Sequence, residues 1–178
     1  MQQKPIKILA ISGSLRPNSS NSAIINKMIE LADADIRFRI YDGLADLPHF
    51  NPDLDNNAPP AAVISWRGQL KHADAVLICT PEYAFGVPGS LKNALDWTVS
   101  SGEFVGKPTA LITASSVGSN GHAALLLTLG AISANVPEDA QLLIPFVRTK
   151  VNGDGSITDP EVLASIQKVL DALVAVII

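Results

Sequence analysis

Apolar residues fall in two rhythms along this chain: short unbroken runs, and longer stretches spaced for one face of a helix. Residues 6–11 form an apolar run of strand length broken only by Lys7, the pattern of a strand covered on both faces. Ile24, Ile25, Met28, Ile29, Leu31 and Ala32 recur at helical spacing and predict an amphipathic helix over 22–32. Residues 36–41 alternate apolar side chains with Arg37 and Arg39, as an edge strand with one solvated face does. The Pro-, Asn- and Asp-rich stretch 43–60 reads as a surface loop. Beyond it the spacing predicts a helix over 61–71, a central strand over 74–80 and a helix over 91–99. A strand over 107–114, an unusually apolar helix over 123–133 and a strand over 140–145 follow. After the turn Asn152-Gly153-Asp154-Gly155, a last helix runs over 160–178 with Pro160 in its first turn.

Strands alternate with helices from end to end, so the sheet is expected to be parallel with helices on both faces. No repeat, linker or change of composition divides the chain, and residues 1–178 read as a single domain. Five strands in this length suit an α/β, flavodoxin-like, doubly wound parallel sheet of order 2-1-3-4-5. Such sheets bind ligands beyond the carboxyl ends of their strands, where the strand order reverses. Chemistry is therefore expected after Ile11, after Thr80 and after Ala114, and small polar residues cluster at all three.

Composition removes several classes of function. Hydrophobic residues make up 47% and charged residues 17%, the reverse of a disordered chain. Thirteen Lys and Arg against seventeen Asp and Glu leave a charge of −4 without basic runs, which argues against a nucleic-acid partner. Cys79 stands alone, so it forms no internal disulfide and no cysteine-based zinc site. Three scattered histidines give no metal-ligand spacing. The first residues lack the long apolar region of a signal peptide. The longest apolar stretch, 123–132, is half the roughly 20 residues of a membrane helix. A cytoplasmic location without a membrane partner is the expectation.

Three loops carry candidate chemistry. The first holds Gly13, Ser14, Arg16, Ser19, Ser20 and Asn21 between a strand and a helix. Helix N-terminal N–H groups, hydroxyls and one guanidinium suit a phosphate dianion. With Gly13 as its one glycine, the loop is neither a dinucleotide fingerprint nor a nucleotide-triphosphatase loop. A polar N-cap cluster beside a surface arginine is the plain alternative. The second loop leaves the central strand as Pro81-Glu82-Tyr83-Ala84-Phe85-Gly86-Val87-Pro88-Gly89, stiff enough to present backbone and rings to a planar ligand. Loop packing is the alternative for Tyr83 and Phe85, and helix core for Trp97. The third, 115–122, has Gly118 and Gly121, which let backbone approach a ligand closely; an ordinary connection is its alternative. Cys79 reads as inert core, His49 and His72 as surface, and His122 as a residue at the edge of the third loop.

On these residues the chain resembles the NADPH-dependent FMN reductases, a flavodoxin-like group that includes quinone, chromate and azo-dye reductases. The motifs are Gly13-Ser14-Leu15-Arg16 with Ser19 and Asn21, Pro81-Glu82-Tyr83, and Pro88-Gly89-Ser90-Leu91-Lys92-Asn93-Ala94-Leu95-Asp96-Trp97. Gly106-Lys107-Pro108 and the Ser115-Ser116-x-Gly118 turn also fit, and the order holds along the whole chain. The resemblance implies FMN as cofactor and NADPH or NADH as co-substrate. It implies that Ser14, Arg16, Ser19, Ser20 and Asn21 hold the FMN phosphate. It likewise implies that Pro81, Glu82, Tyr83 and Ala84 lie along the isoalloxazine, and that Ser115, Ser116 and Gly118 close over its edge. Ala84 departs from the family's Pro-Glu-Tyr-Asn, so a side-chain contact is lost there while a backbone N–H contact survives.

The implied reaction passes hydride from NAD(P)H through FMN to a quinone, chromate-like, azo or flavin acceptor. No Ser/His/Asp triad and no carboxylate pair stands at the strand ends, as fits chemistry carried by the cofactor. No catalytic side chain is named, since flavin N5 is the reacting atom. A flavodoxin-type electron carrier and a non-catalytic FMN-binding protein are the other two readings. A homodimer or homotetramer is also implied.

Overall fold

The computed structural model describes residues 4–177; Met1 to Gln3 and Ile178, the last residue of the expected final helix, lie outside the described residues. The strands are β1 (Ile6–Ser12), β2 (Ile36–Tyr41), β3 (Ala75–Thr80), β4 (Thr109–Ala114) and β5 (Gln141–Ile144). They pair in parallel in the order β2-β1-β3-β4-β5, the expected flavodoxin-like order. β3 and β4 are buried at every residue, as their unbroken apolar runs require. Register aligns Ser12 with Cys79, Thr80 with Thr113 and Ala114 with Ile144. Four strand ends thus form one row, and the loops leaving them share one edge.

Helices cover both faces. On one, α1 (Ser20–Leu31) and α5 (Pro160–Ala175) lay Ile24, Ile25, Met28, Ile166 and Leu170 over Ile8, Leu77 and Ile112. On the other, α2 (Ala61–His72), α3 (Gly89–Asp96) and α4 (Ser119–Ala131) lay Trp66, Leu70, Leu91, Leu95, Leu125 and Leu129 over Leu9, Ile11, Ile78 and Leu111. Trp66 is fully buried and its Nε1–H donates to the Ala94 carbonyl at 2.8 Å. Trp97, the C-cap of α3, is buried as expected, with its Nε1–H bonded to the Pro48 carbonyl at 2.8 Å. No helix among the described residues is long and apolar enough to cross a membrane.

Two expectations change. Residues 43–60 are not a free surface loop. They contain 3-10 turns at Gly43–Asp46 and Pro52–Leu54 and bury Leu44 and Leu47. Asn93 clamps the segment, donating to the Pro48 carbonyl at 3.0 Å and accepting from Phe50 N–H at 2.7 Å. Arg67 bridges the Trp97 carbonyl and Asp55, which also accepts from Ser100. These bonds join distant residues, so local composition carries no trace of them. The helices α1, α3 and α4 also begin before their apolar periods, at Ser20, Gly89 and Ser119. For α1 and α4 the cause is polar: Ser19 Oγ caps Ser22 N–H at 3.0 Å, and the Glu82 carboxylate accepts Gly121 N–H at 2.6 Å.

Candidate functional site

The first loop owes its path to Gly13. A Cβ there would lie 2.2 Å from Thr80 Oγ1 and 2.7 Å from Thr80 Cβ. Only a glycine lets β1 end against β3 this closely, with Gly13 N–H donating to the Cys79 carbonyl at 2.8 Å. Ser14 is buried and its Oγ accepts from Arg16 N–H at 3.3 Å, which leaves its O–H free to donate. Ser19 serves as the α1 N-cap. Among the described residues the N–H groups of Ser20 and Asn21 have no acceptor, and the Arg16 guanidinium has neither hydrogen bond nor ion pair.

Asn21 sits differently from its neighbours. Its side chain is buried, with Nδ2 donating to the Ala114 carbonyl at 3.5 Å and Oδ1 accepting from Cys79 Sγ at 3.3 Å. The amide therefore ties α1 to the ends of β3 and β4, and the group it leaves for a ligand is its N–H. Cys79 is fully buried, and burial pushes its thiol pKa far up, so it stays a protonated core residue.

The second loop is a tight hairpin. Tyr83 N–H and Gly86 N–H each donate to the other's carbonyl at 2.9 Å. Its central residues Ala84 and Phe85 have φ of 49° and 60°. Positive φ at both positions is the type I′ requirement, which favours Asn-Gly. The family's asparagine at position 84 thus matches a turn preference, and Ala84 forgoes it. Replacing Ala84 with Gly is expected to raise stability by about 1 kcal/mol, read as a higher urea midpoint at unchanged slope. Tyr83 and Phe85 are exposed rather than packed into the loop.

The third loop meets the second through glycine. A Cβ on Gly121 would stand 3.0 Å from both Glu82 Cγ and the Gly86 carbonyl. Gly118 has φ of 94°, and a Cβ there would come within 2.8 Å of Leu143 Cδ1. The Ser115 and Ser116 carbonyls accept from Val147 and Phe146 N–H at 3.1 Å each. His122 is held by Thr113, Oγ1 to Nδ1 at 2.8 Å, a link between β4 and α4. Burial lowers its pKa below the ordinary 6.5, against an opposing hydrogen bond from Gln141. The unfolded chain then takes up this proton first as pH falls through 6.5. Stability is full above that value and declines as pH drops toward the folded pKa. Unfolding between pH 7.5 and 5.5 should show this loss, and His122→Gln should abolish it. The lowered carboxylates of Asp55 and Asp159 act only below their ordinary 3.8.

A cleft of about 900 Å³ runs from the first loop along α1. Arg16, Ser19 and Ser20 line one side, and Arg148, Asn152 and Ser156 line the other. Its carboxylates are engaged, Glu30 by Lys27 and Asp154 by Ser156. The cleft therefore offers two guanidiniums with no carboxylate partner among the described residues. Such a donor set fits a phosphate dianion. Ser14, Arg16, Ser19, Ser20 and Asn21 lie in the first loop and the start of α1, and the second loop is tied to the first turn of α4 by the Glu82–Gly121 bond. Sequence reasoning missed Arg148 and Phe146. The signal was available, because both follow the carboxyl end of a fourth strand at the same edge.

Comparison with known proteins shows the family. Residues 6–149 match the profile of the NADPH-dependent FMN reductases. An NAD(P)H-dependent FMN reductase of Pseudomonas aeruginosa is 35% identical over 174 residues, covering 94% of this chain and 93% of that protein. A 2-hydroxy-1,4-benzoquinone reductase from Burkholderia sp is 33% identical over 180 residues, covering 96% and 95%. Among solved structures, the flavoenzyme NAD(P)H:(acceptor) oxidoreductase FerB from Paracoccus denitrificans superposes with a TM-score of 0.84 at 31% identity, covering 97% of each chain.

Proposed function

The chain belongs to the NADPH-dependent FMN reductase family, and from that premise we propose that it is an FMN-dependent NAD(P)H oxidoreductase whose acceptor is a quinone, chromate-like, azo or flavin compound. One observation carries the reading: phosphate-binding donors stand unspent around the start of α1. These are the Arg16 guanidinium, the Ser14 O–H and the N–H groups of Ser20 and Asn21. They suit the FMN phosphate, with the helix dipole adding favourable charge.

The chemistry FMN supplies when bound is two-electron exchange between NAD(P)H and an acceptor. The protein's residues supply position. Arg16 neutralises the phosphate and Ser14 and Ser19 orient it. Pro81, Glu82, Tyr83 and Ala84 form one wall for the isoalloxazine, and Ser115, Ser116 and Gly118 close its edge. N–H groups of the third loop would stabilise negative charge on a reduced flavin held there. The Glu82 carboxylate accepts Gly121 N–H and so ties the second loop to α4. With a quinone the sum balances: NAD(P)H gives a hydride, water gives a proton, and quinone becomes hydroquinone. The same proposal takes residues 1–178 as one cytoplasmic FMN-binding domain, assembled as a homodimer or homotetramer through the exposed face of α4 around Leu127.

The test is a visible spectrum of purified protein with FMN, followed by anaerobic NADPH. A bound flavin band that bleaches within the mixing time is expected. A bound band that stays yellow would turn the reading to an electron carrier or a non-catalytic binder. Absence of binding would end the FMN assignment.

A further inference from the structure

Phe85 and Phe146 share three properties. Each has positive φ, 60° and 52°, a conformation that bulky L-residues avoid. Each is exposed, at 76% and 67% of its surface. Each stands at the carboxyl edge of the sheet beside the third loop. Phe146 N–H donates to the Ser116 carbonyl on one flank, and Gly86, next to Phe85, packs on Gly121 on the other. The aromatic pairs among the described residues are Tyr41 with Trp66 and Phe50 with Trp97, so neither exposed phenylalanine stacks on another ring.

Both choices are costly. A type I′ turn asks for glycine at position 85, and a phenyl ring in water gives up its burial. Strain that nothing in the fold repays, at the mouth of a site, points to function. The second loop also grades outward. Pro81 is buried, Glu82 half-buried, and Tyr83 and Phe85 exposed, with Phe85 at the tip. The base of the loop is where the flavin wall is proposed, so the tip lies where the next layer of ligand would stack.

We propose that Phe85 selects the acceptor: it takes a flat, uncharged ring of the quinone class in preference to a hydrated oxyanion. Offset or edge-on stacking rewards a quinone ring for displacing water. A chromate-like ion gains nothing from a phenyl face and loses hydration beside it. The inference rests on the proposed reductase activity and deepens it by ranking the acceptors. The quinone's two carbonyls become hydroxyls, taking one hydride equivalent from NAD(P)H and one proton from water.

The experiment compares FMN-loaded wild type, Phe85→Gly and Phe85→Tyr with menadione and with chromate. Glycine suits the turn, so Phe85→Gly keeps the fold and melts higher than wild type. The ratio of kcat/KM for menadione to that for chromate should fall at least tenfold in Phe85→Gly, through KM for menadione. Phe85→Tyr should restore it. An unchanged ratio overturns the inference. So does a tenfold loss of FMN affinity, which would make Phe85 a flavin wall, or a changed gel-filtration mass, which would make it a subunit contact. If wild type itself is not bleached by NADPH, the reductase reading fails and takes this inference with it. A bleached wild type beside a Phe85→Gly variant with an unchanged ratio sinks the inference alone.

Discussion

Gly13→Ala is expected to cost about 3 kcal/mol of stability, the upper end of the range for overpacking a close-packed site. The added methyl would overlap Thr80 Oγ1 at 2.2 Å and Thr80 Cβ at 2.7 Å, and would crowd Leu91 Cδ2 at 3.2 Å. None of these can yield cheaply, because Thr80 is fully buried in the central strand and Leu91 is fully buried under α3. The first loop would have to move away from β3, and the donors it carries would move with it. Urea unfolding should therefore show a lowered midpoint, and FMN titration a lost or much weakened affinity. Pairing the change with Thr80→Gly removes the blocking atoms. The double variant should be more stable than Gly13→Ala alone, the non-additivity expected of two residues in direct contact.

Arg16→Ala should leave folding nearly untouched and weaken FMN about 10- to 100-fold, the loss of one charge-assisted hydrogen bond at roughly 1.5–3 kcal/mol. The residue is exposed and its guanidinium is bonded to nothing among the described residues, so removing the side chain strands no protein group. Arg16→Lys should fall between, since an ammonium keeps the charge but loses the planar fork. Wild-type affinity should also decline with added salt, and that decline should flatten in Arg16→Ala. An alanine variant that bound FMN as tightly as wild type would remove Arg16 from the phosphate site.

The fold was legible because its signals are local. The buried runs at β1, β3 and β4 cannot be amphipathic helices at that length, and the arginines of β2 mark it as an edge. The site was partly legible for the same reason: glycines and serines after strand ends are visible in the chain. What stayed hidden depends on pairs of distant residues. The sequence does not show that the Asn21 side chain lies between Cys79 and Ala114, which leaves its backbone N–H as the group it offers a phosphate. Residues 115–122 read as one loop until Glu82 caps Gly121 and the helix starts at Ser119. Residues 43–60 read as free until Asn93, Trp97 and Arg67 hold them. His122, which reads as a residue at the edge of the third loop, is also tied to β4 through its bond with Thr113. Phe85 reads from the sequence as a ring in a stiff loop, and Phe146 as a residue after a strand end; the left-handed backbone of both is not written in the identity of a phenylalanine.

The order of the sheet has a consequence for how copies of this chain meet. Its open borders are β2 and β5, and each discourages extension by another strand. β2 presents exposed Arg37 and Arg39, and a second copy of the same strand would set cation against cation. β5 is only four residues long, too short to template a lasting ladder. Aggregation by edge-to-edge growth is thus blocked at both ends of the sheet. Any contact between copies is left to the helical flanks, where side chains rather than backbone set the geometry.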